Sequence, residues 1–103
     1  MLCMAATVPQ LCAQPFTVAG SDTQALGTSW DPGNTNNDMT LYSGDMYYLL
    51  KTVTYPSNGS YQYKVALNHN WSVSYGANGG GDNINYSVNS GTGYDCFAYN
   101  KTS

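Results

Sequence analysis

The chain has 103 residues, of which 42% are apolar and 9% charged: three lysines and six aspartates, with neither arginine nor glutamate, for a net charge of −3. Three lysines cannot build a basic patch, which excludes nucleic acid as a partner, because phosphate neutralisation needs clustered Lys or Arg. The apolar content, with ten tyrosines, is too high for a disordered segment, and the polar turns exclude a membrane span; one folded domain with a single core is expected.

Residues 1–14 form an apolar N-terminal segment with two readings, the remnant of a signal peptide or an arm that docks on a partner. Pro9 makes it a poor central strand. The domain proper is expected over 15–103. Short runs rich in Tyr, Val and Thr predict strands at 16–19, 39–42, 46–54, 61–68, 71–75, 83–88 and 94–100. Between them stand turn signals: Ser43-Gly44-Asp45, Pro56-Ser57-Asn58-Gly59, Asn68-His69-Asn70, 77–82 and 89–93. About seven short strands at this spacing predict an all-β fold, an immunoglobulin-like antiparallel β-sandwich. The long connection over 20–38 is the exception, and long ordered loops often carry binding residues. It holds Trp30, in Ser29-Trp30-Asp31-Pro32-Gly33, where Asp31-Pro32-Gly33 reads as a β-turn. A tryptophan there serves either as a ligand platform or as a lid on the sandwich.

The segment Tyr61-Gln62-Tyr63-Lys64-Val65-Ala66-Leu67-Asn68 alternates as a strand should, with Tyr61, Tyr63, Val65 and Leu67 on one face and Gln62, Lys64 and Ala66 on the other. Tyr63, Val65 and Leu67, with Ile84 from the later strand, are expected in the core, and Lys64 is expected to be exposed. Lys64 and Trp71, just past the turn, can share one solvent-facing surface. An indole face and an ammonium donor suit a sugar ring and its hydroxyls.

The run from Tyr61 to Trp71, followed by Tyr75-Gly76 and by Gly79-Gly80-Gly81-Asp82-Asn83-Ile84, resembles the small starch- and glycogen-associated β-sandwich modules. These occur in pullulanases and other α-glucan-degrading enzymes and in outer-membrane starch-binding lipoproteins. Phe16-Thr17-Val18-Ala19-Gly20, Leu26-Gly27-Thr28-Ser29-Trp30-Asp31-Pro32 and Asn37-Asp38-Met39-Thr40 extend the resemblance over most of the chain. It implies an α-glucan partner (starch, glycogen or pullulan), glucose stacking on Trp30 and Trp71, hydroxyl contacts from Lys64, and an amide or carboxylate contact from Asp82 or Asn83. Two aromatic faces set at an angle match the curve of an α-1,4-glucan. A flat cellulose surface would favour a coplanar row.

Catalysis is not expected. Glycoside hydrolysis needs two carboxylates held about 5–10 Å apart, and the aspartates are scattered with no glutamate beside them. No cofactor is expected, and the lone His69 with Cys3, Cys12 and Cys96 matches no zinc spacing. Cys12 and Cys96 form a disulfide if their strands are neighbours, the alternative being three inert thiols. Sequons at Asn58, Asn70, Asn85 and Asn100 agree with a secreted or cell-surface address. The rival expectation is an extracellular assembly protein, a homo-oligomer or filament in which the N-terminal arm completes a neighbour's sheet.

Overall fold

The computed structural model describes residues 15–101. The N-terminal segment with Cys3 and Cys12, its proposed docking, and the Cys12–Cys96 pairing therefore lie outside the described residues. The seven expected strands are all present: β1 (Phe16–Gly20), β2 (Thr40–Ser43), β3 (Met46–Tyr55), β4 (Gly59–Leu67), β5 (Ser74–Tyr75), β6 (Ile84–Val88) and β7 (Gly91–Asn100). They form two antiparallel sheets. In the first, β4 pairs with β1 on one side and with β6 and β5 on the other; the second has the order β2-β3-β7. The all-β sandwich read from the strand spacing is the observed architecture.

The core lies where the inner faces meet. Val18, Leu49, Val53, Tyr55 and Phe97 pack there with Ala25 and Leu26, and Tyr61, Tyr63, Tyr86, Val88 and Met39 close around them. Each fully buried aliphatic or aromatic side chain stabilises the fold by roughly 1.5–3 kcal/mol. Val65 is buried, as its place in the alternation requires, while Tyr63, Leu67 and Ile84 are half-buried. Leu67 ends its strand, and Ile84 stands beside β7, where the two sheets gape. Ala66 is fully buried although it belongs to the outer face. That face is thus covered at one end by something other than the opposing sheet.

The loop over 21–38 contains an element that alternation does not reveal. Thr23–Leu26 is a helical turn, α1, capped by Asp22, whose carboxylate accepts from the Ala25 amide at 3.1 Å, and closed by Gly27 in the left-handed region. Its Ala25 and Leu26 plug the core beside β3. The Leu26 carbonyl, left over at the helix end, accepts from the amides of Asn37 (2.9 Å) and Asn34 (3.3 Å). A 3-10 turn, Thr35–Asn37, then returns the chain along the open edge of β1, where Asp38 bridges Thr17 and the Met39 amide donates to the Phe16 carbonyl at 2.7 Å. All five residues of β1 are buried.

Beneath α1 lies a buried polar knot. The Asp22 carboxylate, with no exposed surface, accepts from the Tyr86 hydroxyl at 2.6 Å and from that of Tyr55, which also meets Asp95. Burial, then the hydrogen bonds to these carboxylates, pushes the phenols of Tyr55 and Tyr86 far above the ordinary tyrosine value. In the unfolded chain both ionise near pH 10. Above that pH the native state holds more protons than the unfolded one, so stability falls as pH rises. This contribution is complete below about pH 10 and is lost progressively above it. Thermal melts at about pH 8 and 11, with phenolate absorbance followed in parallel, should show a lowered midpoint at the higher pH while two tyrosines remain protonated until unfolding.

Candidate carbohydrate-binding surface

Trp30 sits in the left-handed region with φ of 51°, anchored by its amide to the Gly20 carbonyl at 2.8 Å. This conformation is costly for a bulky residue and persists only where surrounding bonds enforce it. The Asp31-Pro32-Gly33 turn follows as expected: the Gly33 amide donates to the Asp31 carboxylate at 2.9 Å and the Asn34 amide to the Asp31 carbonyl at 3.4 Å.

On the other side, β4 ends in a turn where Asn68 and His69 have φ near 60°. The Asn68 amide donates to the Pro15 carbonyl at 3.1 Å, and the Ser72 amide to the Asn70 side chain at 2.9 Å. This bend shortens the strand expected at 71–75 to Ser74–Tyr75 and lifts Trp71 clear of the sheet. The two indoles then meet, with ring centroids 6.3 Å apart and planes inclined by 48°. Trp71 is 42% exposed and Trp30 half-buried. One inclined aromatic pair is therefore assembled from two loops distant in sequence.

Alternation along β4 did not single out the contact that joins the two loops carrying these tryptophans. The His69 ring nitrogen lies 2.8 Å from the Asp38 carboxylate, and Asp38 also accepts from the Thr17 hydroxyl. The β4–β5 turn, the return of the long loop and β1 are thus joined at one carboxylate. A clue was the placement of Asp38 and His69 at the two loop ends that flank the tryptophans, but their pairing depends on the fold.

Lys64, Asp82 and Asn83 gather in a second group. Lys64 shares the outer face with Ala66 one pleat away, and it is half-buried rather than fully exposed. Its ammonium donates to the Gly81 carbonyl at 3.3 Å. The Asn83 amide donates to the Gln62 side chain at 3.3 Å, Gln62 donates in turn to Asn85 at 2.7 Å, and Asp82 accepts from Asn78 at 2.9 Å. The loop carrying Asp82 folds back on Gly76, and Ala77 pairs with Asp82 as an isolated bridge. A Cβ on Gly76 would stand 2.0 Å from the Asp82 carbonyl oxygen and 3.5 Å from the Lys64 stem. Gly76→Ala should thus expel the 77–82 loop, destabilise the domain by about 1–3 kcal/mol and free the Lys64 side chain. Faster amide exchange at Ala77 and a lowered melting midpoint are the expected readouts, and an unchanged exchange rate would count against this loop geometry.

The fold and the surface define a class first: a small all-β sandwich with an aromatic pair on its surface. The model of the pullulanase X25 domain family matches residues 15–103, and the chain belongs to that family. An amylopullulanase from Thermoanaerobacterium saccharolyticum is 41% identical over 64 residues, which is 60% of this chain and 5% of that protein. The amylopullulanase of Thermoanaerobacterium thermosulfurigenes is 36% identical over 63 residues, 61% of this chain and 3% of that one. Among solved structures, the pullulanase from Bacillus acidopullulyticus aligns with a TM-score of 0.67 and 31% identity, over 84% of this chain and 10% of that structure. The chain thus spans a small fraction of each relative.

Proposed function

We propose that this domain is a non-catalytic module that binds α-glucan on the Trp30–Trp71 surface, with Lys64 and Asp82 or Asn83 contacting hydroxyl groups. The observation that carries the reading is the inclined indole pair, with Trp71 exposed and Trp30 half-buried: two faces at 48° can each take one glucose of a curved chain. Membership in the pullulanase X25 family supplies the α-glucan context. The carboxylates favour a binding role. Asp22, with no exposed surface, meets Asp95 through the Tyr55 hydroxyl, while Asp31 and Asp38 lie in the long loop and Asp45 and Asp82 in two others. Glycoside hydrolysis needs two carboxylates that reach the substrate, and Asp22 is closed off from it.

Affinity for a single module should be modest, with dissociation constants of micromolar to millimolar, about −8 to −4 kcal/mol. Tethering to a catalytic domain would make such weak binding useful by raising effective concentration. The sequons at Asn58, Asn70 and Asn85 lie on exposed residues, which agrees with a location outside the cell. Affinity electrophoresis through amylopectin, with maltoheptaose as soluble competitor, tests the proposal. Migration identical to that in plain gels would overturn it.

A further inference from the structure

We propose that the Asp38–His69 contact positions the Trp30–Trp71 pair, holding the two indoles at one angle before any ligand arrives. The pair is assembled from two loops, and a surface made that way keeps its shape only if the groups behind it are locked together. Trp71 draws little orientation from packing, because 42% of its surface lies in solvent. The backbone of both loops is also held away from its relaxed state. Of the four non-glycine residues with positive φ among the described residues, three stand in these loops: Trp30 at 51°, Asn68 at 60° and His69 at 61°. Such conformations persist only where their surroundings over-determine them.

Asp38 is placed to be the tie. Its amide donates to the Thr35 carbonyl at 3.1 Å, and its carboxylate accepts at 2.5 Å from the hydroxyl of Thr17, a residue with no exposed surface. A carboxylate held from behind by a buried strand has little freedom of its own. Upstream, the side-chain amides of Asn34 and Asn37 fasten the loop to the Leu26 carbonyl, and Asn34 also donates to the Thr28 hydroxyl at 3.1 Å. Trp30 therefore lies inside a closed unit whose exit is Asp38. On the other side, His69 stands two residues before Trp71, and its Nε2 lies 2.8 Å from the Asp38 carboxylate. An ionised carboxylate only accepts, so the imidazole N–H is the donor. Releasing this bond lets the turn relax, and Trp71 moves with it. His69 and Asp38 act through the indoles, as positioning residues.

The locked angle stands whatever the ligand is; its consequence for affinity rests on the α-glucan reading. A preset pair spares the cost of ordering two loops on binding, and it favours chains whose successive rings turn by a matching amount.

Two indoles this close couple their strong far-ultraviolet transitions, giving a couplet in circular dichroism whose size follows the angle between the rings. Trp71→Ala should abolish the couplet, which assigns it. His69→Asn keeps the turn, since asparagine tolerates positive φ, but its amide is too short to reach Asp38. This variant should lose most of the couplet and bind amylopectin about 2- to 30-fold more weakly, with a melting midpoint close to wild type, as for a half-exposed pair. His69→Gly suits the same φ and should repeat that result, whereas His69→Gln, whose amide reaches as far as the ring nitrogen, should restore both couplet and binding. A full couplet in His69→Asn or His69→Gly, a lowered midpoint with the couplet intact, or a wild type without a couplet would each overturn the proposal. A wild type and a His69→Asn variant equally retarded by amylopectin, both with the full couplet, would overturn the positioning alone. A couplet that responds to His69 as expected in a domain that amylopectin does not retard would overturn the α-glucan reading alone.

Discussion

Trp71→Ala will remove retardation of the domain in amylopectin gels while leaving its melting midpoint nearly unchanged. Trp71 keeps 42% of its surface in solvent, so truncation removes few internal contacts. A sugar stacked on it would lose an aromatic face, and central aromatic anchors are worth about 2 kcal/mol or more to binding. From a starting affinity of −8 to −4 kcal/mol, that loss takes the weaker end of the range below detection. Trp30 needs a sharper substitution, because it could also serve as a lid. Trp30→Gly suits its φ of 51° and relieves strain of about 1–3 kcal/mol, which offsets the contacts removed. If Trp30 is a ligand platform, the variant stays folded and binds at least tenfold more weakly. A variant that melts early and still binds would identify Trp30 as a lid, and the binding surface would then have to be placed elsewhere.

The sandwich was legible because its signals are local. Tyr61 to Leu67 alternates, Gly and Asn mark the turns, and each strand appeared within a few residues of its expected ends. What stayed hidden depends on contacts distant in sequence. Ala66 reads as an outward residue in any two-residue alternation, yet it is fully buried. The core contribution of α1 had a signal, Asp22 before Thr23-Gln24-Ala25-Leu26 and Gly27 after, but one helical turn is too short for a 3.6-residue period to show. Of the candidate site, Trp30, Trp71 and Lys64 were visible as residue types suited to a sugar. Their geometry was not: the structure pairs the tryptophans and gives Lys64 to the Gly81 carbonyl. The Asp38–His69 contact between the two loops needed the fold, since it joins residues 31 positions apart.

Asp22→Ala is expected to give the largest loss of stability among the substitutions considered, about 2–5 kcal/mol. Three functions end with that carboxylate. It caps α1 through the Ala25 amide, and loss of such a cap costs about 0.5–2 kcal/mol. It accepts from Tyr86, whose hydroxyl would be left without this partner in a largely buried setting, at about 1–3 kcal/mol. It also shares the Tyr55 hydroxyl with Asp95, so Tyr55 retains one acceptor and adds less to the loss. In a domain of this size each kcal/mol lowers the melting midpoint by about 4–8 °C. Asp22→Asn separates the contributions: its amide oxygen can keep the Ala25 cap, whereas its NH2 would face two phenolic donors. It should be milder than alanine but clearly below wild type. Tyr86→Phe combined with Asp22→Ala should cost little more than Asp22→Ala alone, because the missing bond is the same one. α1 begins the loop that carries Trp30, so glucan binding should weaken in Asp22→Ala even below its melting temperature. Full additivity in the double mutant, or a midpoint within a degree or two of wild type for Asp22→Ala, would show that the buried knot does not anchor this loop.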